Sequence, residues 1–150
     1  GRDAPISVAA VDLLVADRQE QNLFAFIDEL STRRLGPALR GARALLEEGQ
    51  AATYVLFMLA RQLRILIGVK ELSAQRLRPD AIAAELGQKP FVVRKALDQA
   101  RGFSPGELEQ LHDRLLELDV ATKTGRIQAD VALELFVAEV CAAGKHGAAP

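Results

Sequence analysis

The sequence predicts an all-α protein, a helical bundle of about seven to eight helices around a buried central helix. Three observations lead there. Apolar residues recur at three- and four-residue spacing between the breakers, as in Leu23, Phe26, Ile27 and Leu30, the stripe a helix of 3.6 residues per turn lays against its core. Strict alternation never persists over the length of a strand bounded by turn residues. Glycine and proline stand at intervals that divide the chain into helix-length pieces.

Ser7 is placed to cap the first helix with its hydroxyl. The Leu23 to Leu30 stripe marks a second. Leu39, Ala42 and Leu46 mark a third, with Pro37 near its start, where a missing N–H leaves no bond unmade, and an end at Gly49. From about Ala52 to Leu72 the pattern changes: apolar residues from Val55 through Leu59, Leu63, Leu66 and Val69 cover most of the circumference. Arg61, Arg64, Gly68 and Glu71 form the one polar stripe. A helix apolar nearly all round is buried on most sides, so this is the expected central post. Pro79 opens a short helix that ends at Gly87, and Pro90 opens the next, which ends at Gly102. Ser104-Pro105-Gly106-Glu107 combines a cap, a proline and a glutamate three residues on, the strongest helix start in the chain. Leu108, Leu111, Leu115 and Leu118 give that helix a narrow seam up to Gly125, and Leu133, Phe136, Val137 and Val140 mark the last.

The 150 residues suit one domain, and 49% hydrophobic with 26% charged residues excludes disorder over the whole chain. Aromatics are 5% and Trp is absent, which argues against a stacking platform for bases or sugars. A net charge of −1 gives no general attraction to polyanions. Charge is uneven, however: residues 61–101 hold nine Lys/Arg and four Asp/Glu, net +5, and residues 102–140 hold three and eight, net −5. These segments either face each other within the fold or present opposite faces to neighbouring subunits. The longest apolar run is broken by Arg61, Gln62 and Arg64, so no membrane span and no membrane partner are expected. The opening residues lack a signal-peptide segment, and a start at Gly1 without Met leads us to expect a piece of a longer chain. A lone cysteine, Cys141, excludes an internal disulfide framework and a cysteine-based zinc cluster and fits a reducing, cytoplasmic compartment.

No catalytic constellation is legible. Of the two histidines, His112 reads as a solvated residue on a polar helix face and His146 lies in the tail, neither near a glycine-framed Ser or Cys. Cys141 sits on an apolar stripe. The carboxylate pairs Asp28-Glu29 and Glu47-Glu48 read as helix surface without a partner. No metal-ligand spacing occurs, and Lys123-Thr124-Gly125 is a helix end rather than a phosphate cradle. No catalytic residue, metal or cofactor is therefore expected. One alternative has a physical basis: Asp80 to Leu97 reads as helix, tight turn at Gly87 and second helix, the outline of a helix-turn-helix DNA reader, with Gln88, Lys89, Arg94 and Lys95 as its contacts. Against it, Pro90-Phe91-Val92-Val93 at the start of the second helix suits packing better than base contact.

Several segments in their order and spacing resemble a known family. They run from Ile6-Ser7-Val8, Val11 and Leu14-Val15 through Leu23-Phe24, Phe26-Ile27-Asp28 and Leu30, then Ala38-Leu39, Ala42, Leu45-Leu46 and Gly49. They continue with Leu56, Leu59-Ala60-Arg61-Gln62-Leu63-Arg64 and Leu66, then Ile82-Ala83, Leu86-Gly87 and Pro90-Phe91-Val92-Val93, and close with Leu118-Asp119, Lys123-Thr124-Gly125 and Ala132-Leu133-Glu134. Over nearly its full length the chain resembles the C-terminal part of the bacterial DNA polymerase III delta subunit family, a component of the sliding-clamp loader. The basic Ser31 to Leu35 link and the Ala/Gly-rich tail depart from the family pattern.

The resemblance implies residues 1–20 as the closing helix of a small AAA+-type lid domain, 21–143 as a helical collar domain, and 144–150 as a disordered tail. It implies an assembly module without ATPase activity, docking beside the other clamp-loader subunits (gamma/tau and delta prime). The sliding clamp would be met only through an N-terminal region absent from this sequence, and no sequence-specific DNA contact is expected. Arg61 and Arg64, with Glu107 and Glu109 on the acidic stretch, are the expected subunit-interface residues.

Overall fold

The computed structural model describes residues 7–147, and among these lie seven helices and no strand: α1 (Val8–Ser31), α2 (Leu35–Glu47), α3 (Ala52–Ala74), α4 (Pro79–Leu86), α5 (Pro90–Ala100), α6 (Pro105–Lys123) and α7 (Ala129–Gly147). The Ser7 hydroxyl accepts the Ala10 N–H at 3.0 Å and starts α1. The helix then continues to Ser31, so the two separate helices expected over this stretch are one. Arg18 to Asn22 carries no apolar residue, but neither does it carry Gly or Pro, and Arg, Gln and Glu are good helix formers. Polarity there is no break. Burial divides α1 where the backbone does not: Val8, Val11, Leu13, Leu14 and Val15 are exposed, whereas Leu23, Phe24, Phe26, Ile27 and Leu30 are buried.

The α1–α2 turn passes through Arg33 at φ 60°, a left-handed conformation that normally favours glycine. The side chain offsets the strain. Its guanidinium donates to the Gly102 carbonyl at 2.7 Å, pairs with Glu107 at 2.8 Å and lies 4.6 Å over the Phe103 ring, tying the α1–α2 turn to the α5–α6 turn. Glu107 also completes the capping box of α6: the Ser104 N–H donates to its carboxylate at 3.0 Å, and the Ser104 hydroxyl accepts the Glu107 N–H at 3.1 Å. Burial works to raise the Glu107 carboxyl, but the Ser104 N–H, the Arg33 guanidinium and the Ser104 hydroxyl together hold it below its ordinary 4.5. A depressed folded-state pKa gives stability that is present above the unfolded value and lost as pH falls through the folded one. Arg33→Ala is expected to cost about 2 kcal/mol near pH 7 and to reduce the loss of stability below pH 4.5. Urea melts of both proteins from pH 7 to pH 3 measure this, and an unchanged acid limb would refute the coupling.

Helix α3 is the central post, packing against α4, α5, α6 and α7, with Val55, Leu56, Leu59, Leu66 and Val69 almost fully buried. The expectation that no stretch could cross a bilayer needs correcting on composition: α3 has 23 residues and a mean hydropathy of 1.4 over its most apolar window, enough by length and composition alone. In the fold that apolar surface is the core of the bundle, since a central helix and a membrane span share the same all-round pattern. Gly68, assigned to the polar stripe, is half-buried where α4 comes close; a Cβ there would stand 3.0 Å from Leu86 Cδ2. Gly87 ends α4 at φ 64°, the expected left-handed cap.

Val92, Val93 and Ala96 of α5 and the Leu108, Leu111, Leu115 and Leu118 seam of α6 close on α3 from two sides. Helix α7 buries Leu133, Phe136, Val137, Val140 and Cys141 against α2, α3 and α6. Its backbone stays helical to Gly147, into the segment expected to be an unstructured tail, because no proline occurs there to stop it. The side chain of His146 and residues 148–150 lie outside the described residues.

Candidate functional site

The surface that stands out is built on the outward stripe of α3. Tyr54, Phe57, Arg61 and Arg64 follow one another at three- and four-residue spacing and so share one helical face. Phe57, counted from sequence among the buried circumference, is 61% exposed on this face, and Tyr54 is exposed beside it. Across from them α6 presents Leu116 and Val120, an i, i+4 pair outside the leucine seam and also exposed. Thr53, Phe57 and Arg64 from α3 and Leu116, Asp119 and Lys123 from α6 line an open groove of about 380 Å³. On the other side of Phe57 a second groove of about 460 Å³ runs between Arg61, Arg64, Leu86 and Gln88. Phe57 and Arg64 are common to both walls.

The signal for Phe57 was present in the sequence, four residues before Arg61 on the polar stripe. The Leu116–Val120 pair was equally visible as apolar residues off the seam. What hid them is the habit of assigning every apolar residue on a helix to the core; roughly half of a folded surface is apolar, so single exposures mean little until they cluster.

The four expected interface residues fare differently. Arg64 is exposed, its Nη1 3.5 Å from His112 Nε2, and Arg61 is half-buried with Nη2 3.4 Å from Gln88 Oε1. Arg64 lines both grooves and Arg61 the second. Glu109 is exposed on α6 and takes part in no ion pair among the described residues. Glu107 is already engaged by Arg33 and the α6 cap, so it holds this chain together internally.

The two charged segments do not neutralise each other. Among the described residues the carboxylates of 102–140 that form ion pairs find them in Arg33, Arg43, Arg114 and Lys123, and Lys95 of the basic segment pairs with Asp28 of α1 at 3.0 Å. No ion pair joins residues 61–101 to 102–140, because α3 and α6 meet through their apolar faces. Arg114 meets Glu139 in a bidentate pair from Nε and Nη2 at 2.9 to 3.2 Å, which raises the Arg114 guanidinium above its ordinary value and links α6 to α7.

The helix-turn-helix alternative loses two of its four contact residues to the bundle. Lys95 is bound to Asp28 and Gln88 reaches Arg61, leaving Lys89 and Arg94 exposed. Val92 and Val93 are buried at the start of α5, and Phe91 meets Phe24 of α1 edge-on with ring centroids 6.2 Å apart. The N-terminal turn of the second helix is thus docked on α1 instead of free to enter a groove of DNA.

Asp28, read from sequence as an unpartnered surface carboxylate, accepts from both Lys95 and the Gln99 amide, and Gln99 in turn accepts from Gln62 at 2.9 Å. This chain from α1 through α5 to α3, buried at Gln99 and Gln62, has no sequence signal, since its members are 37 and 71 residues apart. Glu48 likewise accepts from Asn22 at 2.7 Å. His112 is half-buried against Arg64 rather than solvated. No group of His, Cys, Asp and Glu able to hold a metal occurs among the described residues. A small void of about 20 Å³ among buried side chains is lined by Ile27, Leu59, Phe136 and other apolar side chains with Gln62, and offers no titratable group for chemistry.

Comparison with known proteins places these features. Residues 20–140 match the family model described as DNA polymerase III delta subunit, C-terminal domain. DNA polymerase III subunit delta of Bacillus subtilis (strain 168) is 31% identical over 135 residues, which cover 90% of this chain and 39% of that protein. The solved structure of the Bacillus subtilis DNA clamp loader delta protein (YqeN) superposes with a TM-score of 0.79 at 30% identity, covering 89% of this chain and 40% of that one. The chain thus spans about two fifths of the length of these relatives. None of the three matches is a DNA-reading regulator.

Proposed function

Because the chain belongs to the DNA polymerase III delta subunit, C-terminal domain family, we propose that it is the non-catalytic assembly domain of a bacterial sliding-clamp loader, working in the cytoplasm. Residues 21–143 form the collar that docks beside the other loader subunits, gamma/tau and delta prime. The segment before them is the closing helix of a lid domain. The observation that carries this reading is the exposed apolar and cationic face around Phe57, on a bundle in which no metal-holding group of His, Cys, Asp and Glu occurs among the described residues. Support for the lid reading comes from α1, where the apolar side chains of Val8, Val11, Leu13, Leu14 and Val15 are exposed among the described residues. Clamp contact and ATP hydrolysis belong elsewhere in the assembly. Mixing the chain with the ATPase subunits of the same organism's loader and resolving the mixture by size-exclusion chromatography tests the proposal. Stoichiometric co-elution is expected, and separate elution at tens of micromolar defeats it.

A further inference from the structure

We propose that the groove between α3 and α6 seats an amphipathic helix of a sister subunit, with an apolar side chain between Phe57 and Leu116 and a carboxylate against Arg64. This rests on the assembly reading above and adds which face is gripped and by what chemistry. Phe57 and Leu116 are 61% and 45% exposed, large apolar side chains on the walls of one concave surface. Burying a side chain of this size is worth about 1.5–3 kcal/mol, the scale of an interface anchor. A concave apolar strip between two helices is the shape that accepts the apolar face of a third.

The charges choose the occupant. Asp119, the carboxylate on the groove wall, is held by Lys123 at 2.8 Å. Arg64 has the imidazole of His112 beside it and Arg61, on the neighbouring groove, the amide of Gln88; among the described residues neither has a carboxylate within ion-pair distance. The Arg64 guanidinium beside the apolar walls therefore lacks a counter-charge among those residues, and a planar fork of N–H donors matches a carboxylate in two-point geometry. Nucleic acid also offers anions, but a phosphate backbone leaves Phe57 and Leu116 uncovered. An acidic protein helix satisfies all of these features together.

The test measures binding of the chain to the remaining loader subunits of the same organism, immobilised as a complex, from about 50 to about 500 mM salt. The variants are Phe57→Ser, Arg64→Glu and Arg64→Lys. Thermal melts check folding, and because these side chains are exposed the melts should be unchanged. Phe57→Ser and Arg64→Glu are each expected to weaken binding at least about tenfold, Arg64→Lys far less, and wild-type affinity should fall as salt rises. If the wild type binds and both disruptive variants bind as well as it does, the groove is not the docking face and this inference falls alone. If the wild type fails to bind, the assembly reading falls and takes the inference with it. Binding of single-stranded or duplex DNA that is abolished by Arg64→Glu also overturns it.

Discussion

Replacing Phe136 with alanine is expected to cost about 3–5 kcal/mol of folding stability. Phe136 is 1% exposed and is the largest of the fully buried side chains, on the face of α7 that closes the bundle over α2, α3 and α6. Its ring lines the small void of about 20 Å³. Truncation would enlarge an existing gap instead of opening an isolated one, and helices anchored at both ends have little room to collapse into it. For a chain of this length each kcal/mol lowers Tm by roughly 2–4 °C, so the melting point should drop by about 10 °C. Phe136→Leu, which keeps most of the volume, should cost well under half as much. An alanine variant that melts within about 3 °C of wild type would mean that α7 is not a working part of the core.

The second large effect concerns polar groups. Gln99→Leu leaves the Gln62 amide without its acceptor and Asp28 without one of its two donors, all inside or at the edge of the core. Asp28 keeps Lys95 and is partly exposed, but the buried Gln62 amide is orphaned and carries the cost of lost hydration, so about 1–3 kcal/mol is expected. The double variant Gln62→Leu/Gln99→Leu removes donor and acceptor together and should be more stable than Gln99→Leu alone, despite carrying one more change. Urea denaturation of the two single variants and the double one decides. Strictly additive losses would show that the two amides do not act as a unit.

What could be read from the amino-acid order was whatever depends on near neighbours. Ser7, Gly49, Gly87, the Ser104–Glu107 box and Gly125 bound their helices as local chemistry requires, and the all-round apolar pattern of α3 identified the post. Boundaries failed where no breaker stood: the two helices expected between Ser7 and Leu30 are one because Arg18 to Asn22 holds no residue that opposes a helix, and α7 continued because nothing ended it. Site residues divided along the same line. Arg61 and Arg64 could be picked from the polar stripe of a buried helix. Phe57 and Leu116 could not be told from core until their neighbours in space were known. The bonds of Arg33 to Gly102 and of Asp28 to Gln99 join residues about 70 positions apart, and no local pattern encodes them.

Helix α1 has a consequence of another kind. Its 24 residues contain neither glycine nor proline, so one hydrogen-bonded rod of about 36 Å runs from the exposed Val8 turn to the Phe26 and Leu30 turns locked in the core. A rod of this sort has no elbow. A displacement of its outer turn is passed to the bundle through one continuous helix rather than absorbed at a glycine or proline hinge, which makes α1 a lever.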